Sequence, residues 1–176
     1  MITIRQERTS DADAREALLD AAYGPSRFRK PSETIRRGRR PADGLALVAV
    51  DGTRIVGTVR LWTVSAGGKP ALLLGPVAVA CDRQREGIGA ALIDRAIEIA
   101  RARGHAAIVL VGDAAYYGRF GFTAGTTGAL VMPGPFERHR LLGLELRPGA
   151  LNGGFGLIVP YGEAAAAQDM TVARAA

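Results

Sequence analysis

The chain has 176 residues, 48% of them hydrophobic and 23% charged, a balance that fits one soluble globular domain with a substantial core. Its single cysteine, Cys81, excludes an internal disulfide and a cysteine-based metal site, and suits a reducing compartment. No apolar run reaches the roughly 18 residues of a membrane span, and the opening Met1-Ile2-Thr3-Ile4-Arg5 alternates like a strand instead of forming a signal-peptide core, so a cytoplasmic protein without a membrane partner is expected. The net charge of +6 is concentrated between Arg27 and Arg40, where Arg29, Lys30, Arg36, Arg37 and Arg39 also fall. Such a cluster attracts phosphates, anionic cofactors or nucleic acid, but a solvated arginine-rich helix has the same composition.

In chain order, residues 2–5 read as a first strand. Ser10 or Asp11 can cap a helix running to Tyr23, with Ala14, Ala17, Leu18 and Ala21 at helical spacing, and Gly24-Pro25 ends it. Residues 32–40 form a second, very basic helix stopped by Pro41. Residues 45–50 and 55–64 are strands joined by the Asp51-Gly52 turn, and Gly67-Gly68 turns into a third strand, 71–80. That third strand is apolar on both faces, as a central strand is, yet Pro76 lies inside it and cannot donate to a ladder, so a kink or bulge is expected there. Residues 87–103 are the clearest helix, with Ile88, Leu92, Ala96 and Ile99 in one stripe and Gly104 as its cap. A buried strand at 106–111, a short helix at 114–120 ended by Gly121, and strands at 141–146 and 155–159 complete the pattern. The order implies an α/β fold of the α+β kind, a mixed sheet flanked by helices. One domain over residues 1–163 is expected, followed by a flexible alanine-rich tail, 164–176.

Between the third strand and the long helix lies Gln84-Arg85-Glu86-Gly87-Ile88-Gly89-Ala90. Glycines let a backbone approach a phosphate closely, and the first amides of a helix are unpaired and carry partial positive charge. Arg83 and Arg85 add charge beside them. The spacing is neither a dinucleotide fingerprint, since Leu92 stands where a third glycine is needed, nor a Walker loop. On spacing alone it supports a phosphate site or a packing glycine pair.

The run from Val79 to Gly89 resembles the acetyl-CoA loop of the GNAT N-acetyltransferase family, whose Gln/Arg-x-x-Gly-x-Gly/Ala pattern is filled by Gln84, Gly87 and Gly89. Tyr116-Tyr117-Gly118-Arg119-Phe120-Gly121-Phe122 is similar to that family's tyrosine helix ending in Gly-Phe, and Gly112-Asp113-Ala114-Ala115-Tyr116-Tyr117 to its bacterial YhbS-type branch. The resemblance implies a splayed sheet with acetyl-CoA as co-substrate. The backbone of Val77, Ala78 and Val79 would hold the pantetheine arm, and the segment Gln84, Arg85, Glu86, Gly87, Ile88, Gly89, Ala90 the pyrophosphate. The Val79 amide would polarise the thioester carbonyl, and Tyr117 would be the general acid that protonates the departing thiolate. Without the resemblance, Val77 and Val79 read as core and the tyrosines as packing aromatics. No metal is implied.

The acceptor implied is a primary amine of a small molecule or peptide. No acidic residue lies in 72–80, which leaves the general base open among Asp113, Glu137 and His139; Asp113 also reads as a helix cap and the other two as exposed loop residues near an acceptor site. Cys81, where relatives often carry proline, is expected to pack as a small apolar residue. Two alternatives use the same scaffold: an RNA- or aminoacyl-tRNA-directed protein reading its partner through the basic stretch, and a CoA-binding module without catalysis. A homodimer is also compatible with the fold.

Overall fold

The computed structural model describes residues 1–166. Its strands are β1 (Ile2–Gln6), β2 (Ala46–Asp51), β3 (Arg54–Ala66), β4 (Lys69–Val79), β5 (Ala107–Val111), β6 (Leu130–Val131), β7 (Leu141–Glu145) and β8 (Gly156–Pro160). The α-helices are α1 (Ala12–Tyr23), α2 (Pro31–Arg36), α3 (Ile88–Ala102) and α4 (Ala114–Tyr117). The sheet runs β1-β2-β3-β4-β5-β7, with β8 on the far end of β3 and β6 beside β8. β1 to β4 form an antiparallel meander, α3 crosses over from β4 to the parallel β5, and β7 returns antiparallel. This is the mixed sheet with helices that the sequence pattern implies.

Period-two alternation divides the core. Leu72, Leu74, Ile108, Leu110 and Leu142 join Leu92, Ile93 and Ala96 of α3 in the larger cluster. Leu73, Val109 and Leu141, one residue out of step, join Trp62, Ile35 and Met132 in the second. α3 packs closely because β3 carries Gly57, where a Cβ would stand 2.9 Å from Leu92 Cδ1 and 3.0 Å from Ile88 Cγ2. At its other end, the amides of Gly104 and His105 bond back to Arg101 and Ala100, the paired closure expected of a glycine cap.

Several boundaries differ from the sequence expectation. The basic helix stops at Arg36, because Arg37 turns to extended geometry and Gly38 adopts φ +69°. The short helix around Tyr117 tightens into a 3₁₀ turn over Gly118–Phe120. β6 had no local signal; it exists through its parallel pairing with β8. Cys81 begins a 3₁₀ turn and is exposed instead of packing as an apolar residue. At the start of the expected tail, Ala164 bridges to Arg39 and the Ala165 amide bonds the Gly38 carbonyl; residues 167–176 lie outside the described residues.

Candidate functional site

The disruption expected at Pro76 is a bulge. Val59 faces Val77 and Leu61 faces Leu74, so Arg60 alone stands opposite Gly75 and Pro76. Trp62 Nε1 donates to the Gly75 carbonyl at 2.6 Å and anchors this turn of the chain. Parallel pairing of β4 with β5 covers only Leu72–Ile108 and Leu73–Val109, and beyond it the two strands part. The Ala80 amide bonds the Val56 carbonyl of β3. By antiparallel alternation Ala78 also turns its backbone to β3, while Val77 and Val79 turn theirs into the gap. Of the three residues expected to be open there, Ala78 is therefore committed elsewhere. The Val77 carbonyl already accepts the hydroxyl of Tyr23, a contact the sequence did not suggest.

Past β4 the chain turns through Cys81–Arg83, takes a left-handed step at Arg85 (φ +68°) and another at Gly87 (φ +80°), and enters α3. Gly87 is the N-cap, no side chain caps the helix, and the first intrahelical bond is from the Ala91 amide to the Gly87 carbonyl. The amides of Ile88, Gly89 and Ala90 are thus left for a ligand, with the helix dipole behind them. Arg83 does not add free charge. It pairs with Glu86 at 2.8 and 2.9 Å and with Asp51 at 2.5 Å, which brace the loop. Arg85 is exposed and, among the described residues, makes no ion pair. Gln84 is exposed beside it.

The two tyrosines of α4 face different neighbours. Tyr116 points its hydroxyl at the first turn of α3, 3.4 Å from where a Cβ of Gly89 would stand. Tyr117 packs edge-on against Tyr116 and Phe122 and lines the cleft with Val77. Its ring rests on Gly112, where a Cβ would come within 2.4 Å of Cε2. Burial, then the neighbouring Tyr23 and Tyr116, push the Tyr117 phenol up to about 12. It is a neutral donor at physiological pH, and its hydroxyl has no hydrogen-bond partner among the described residues.

The cleft, about 1680 Å³, is walled by α1, the turn before α2, the β4 bulge and the loop from Met132 to Arg140. Glu137 lines it; His139 does not, and the two pair with each other at 3.2 Å. Asp113 caps α4 by accepting from the Ala115 and Tyr116 amides at 2.8 and 3.4 Å. The basic stretch is not one solvated face: Arg27 binds Glu16 and Asp20, Arg36 is buried against Glu33, and Arg39 donates to the Gly162 carbonyl. Among the described residues no helix is long and apolar enough to cross a membrane, and no group of three or more His, Cys, Asp or Glu is arranged to hold a metal ion.

This geometry agrees with comparisons to known proteins. The model of the acetyltransferase (GNAT) family matches residues 12–122. The N-acetyltransferase YhbS of Escherichia coli K12 is 31% identical over 166 residues, covering 88% of this chain and 93% of that protein. The crystal structure of E. coli YhbS in complex with CoA superposes with a TM-score of 0.75 at 28% identity, over 91% of this chain and 89% of that one. A GNAT family acetyltransferase from Brucella melitensis in complex with acetyl-CoA gives a TM-score of 0.57 at 28% identity, over 82% and 96%. Matched over most of its length in sequence and in fold, this chain belongs to the GNAT family of N-acetyltransferases.

Proposed function

We propose that the protein moves an acetyl group from acetyl-CoA to a primary amine of a small molecule or peptide by direct attack. The observation that carries this reading is the parting of β4 from β5. It leaves the Val77 amide and the Val79 amide and carbonyl without a strand partner between the N-terminus of α3 and the half-buried Tyr117 hydroxyl. The CoA-bound relatives support it. The pyrophosphate takes the amides of Ile88, Gly89 and Ala90, with the backbone from Gln84 to Gly87 curled beside them and Arg85 for charge. The pantetheine arm pairs with the open edge of β4. Because the Tyr23 hydroxyl already occupies the Val77 carbonyl, the Val77 and Val79 amides and the Val79 carbonyl are the groups that remain.

The neutral amine attacks the thioester carbonyl carbon, and the oxygen that gains charge accepts from the Val79 amide. The C–S bond then breaks. The leaving thiolate takes the Tyr117 proton, the nitrogen loses its extra proton to solvent, and the tyrosinate regains one from solvent, giving an amide, free CoA and neutral Tyr117. Tyr117 suits the step because its phenol is protonated at physiological pH, lines the cleft with Val77 and has no other hydrogen-bond partner among the described residues. With Asp113 engaged as a cap and Glu137 and His139 paired in an exposed loop, no carboxylate is assigned as base.

The test is free-CoA release by Tyr117→Phe beside calorimetric acetyl-CoA affinity. Turnover should drop by about 10²–10⁴-fold with affinity retained. Full turnover by this variant on a true acceptor sinks the assignment.

A further inference from the structure

Lys30, Arg36 and Arg140 converge on the wall of the cleft that faces Tyr117, and we infer that they form a subsite for an anionic group, a carboxylate or phosphate, carried by the acceptor amine. The inference rests on the acetyl-transfer reading above. Lys30 holds its ammonium 4.4 Å above the ring of Tyr23, whose hydroxyl grips Val77. Arg36 Nη1 lies 3.7 Å from where a Cβ of Gly75 would stand, at the bulge of β4. Arg140 Nε donates to the carbonyl of Gly112, the residue on which the Tyr117 ring rests. All three side chains, with Tyr117 and Val77, line the same cleft.

Their charge is matched only at Arg36. Elsewhere on the cleft wall, Arg15 and Arg60 share Glu7, and Arg27 takes Glu16 and Asp20. Against the convergent three stands one carboxylate, Glu33, which reaches Arg36 Nη2 at 3.1 Å. Among the described residues Lys30 and Arg140 have no carboxylate partner. Burial, then the charges of Arg36 and Arg140, hold the Lys30 ammonium below its usual range. Burial is also the largest influence lowering Arg36. Lys30 and Arg140 are exposed at the cleft mouth while Arg36 is buried, and like charges gathered there favour a ligand that brings the counter-charge. The pyrophosphate of CoA is not that ligand, because the residues from Cys81 to Ala90 that would hold it are absent from the cleft lining. A guanidinium fork and an ammonium are suited to carboxylate or phosphate oxygens.

The experiment uses acceptor pairs differing only in charge: O-phosphoethanolamine against ethanolamine, and β-alanine against β-alaninamide. Calorimetric affinity for the CoA-bound full-length protein is measured for each, and free-CoA release is followed in parallel. The anionic member of at least one pair should bind on the order of ten-fold more tightly, and the pair that shows the preference separates phosphate from carboxylate. Lys30→Met and Arg140→Gln should each erode that preference and together abolish it, while acetyl-CoA affinity stays at the wild-type value. These two sites are used because Arg36 is buried and its loss risks misfolding. Equal affinity within both pairs, no binding by either pair, or a preference that survives the double variant overturns the subsite. Failure of the wild-type protein to bind acetyl-CoA would instead overturn the acetyl-transfer reading beneath it.

Discussion

Gly112 offers a test of whether Tyr117 acts through its hydroxyl. Its φ is not in the left-handed region, so alanine is conformationally permitted and the effect of Gly112→Ala is steric. The new methyl would stand 2.4 Å from Tyr117 Cε2, 2.8 Å from Cδ2 and 3.1 Å from Leu110 Cδ1. Ordinary contact begins at 3.4 Å, so the ring has to withdraw by about 1 Å. Leu110 is 1% exposed and cannot yield toward solvent, which leaves the ring to move into the cleft. Crowding of this kind costs about 1–3 kcal/mol of stability. A proton donor displaced by about 1 Å should lose on the order of 10²-fold in turnover. The assay is a double-mutant cycle on kcat from free-CoA release with Gly112→Ala, Tyr117→Phe and the pair. If Gly112 acts by positioning the hydroxyl, Gly112→Ala should cost little once Tyr117→Phe has removed it. Additive losses, or an unimpaired Gly112→Ala enzyme, would refute the reasoning.

Three further outcomes are expected. Gly87→Glu introduces a side chain at φ +80° and a negative charge at the N-terminus of α3, and calorimetry should find acetyl-CoA affinity reduced by at least about ten-fold; retained affinity would remove the phosphate role of the loop. Asp113→Asn keeps the α4 cap and should keep activity, whereas Asp113→Ala should lower stability by about 1 kcal/mol in thermal unfolding; inactivity of the asparagine variant with normal stability would make Asp113 the base. Because the Tyr117 phenol is raised from near 10 to about 12 in the fold, its contribution to stability is intact below pH 10 and is lost as pH rises toward 12. Tyr23 is shifted in the same direction by burial. The wild-type Tm should therefore fall more steeply above pH 10 than that of Tyr117→Phe, and parallel curves would argue against a buried phenol.

The glycine loop before α3 and the irregularity in β4 were legible because their signals are local. Left-handed backbone at Gly87, exposed amides at the start of α3 and a proline inside a strand are each written in a few neighbouring residues. The acceptor side depends on contacts distant in sequence. Tyr23 reaches Val77 across 54 positions, and Arg140 meets Gly112 across 28, with nothing in either neighbourhood to announce the pairing. The basic stretch misled in a similar way. Composition suggests a solvated helix, but whether an arginine there faces water or a carboxylate is decided by α1, which supplies Glu16 and Asp20 to Arg27. Gly112 was visible only as part of a turn, and its contribution as the floor under a tyrosine ring is a fact of packing.

The bulge at Gly75-Pro76 joins the two halves. Leu74 turns its backbone away from β3, since its partner Leu61 bonds Ala42 and Leu45 on the other side. Without a bulge, alternation would next present Pro76 and Ala78 to the gap, and Pro76 has no N–H to offer. The one-residue shift sends Val77 and Val79 there instead, each with an amide and a carbonyl. The same irregularity puts Gly75 on the cleft wall, where a Cβ would stand 3.7 Å from Arg36 Nη1. Filling that space while preserving the shift should therefore impair the acceptor and spare the donor, whereas removing the shift should impair both. A single extra residue in β4 thus sets both the register that turns Val77 and Val79 into the gap and the place of Gly75 on the cleft wall.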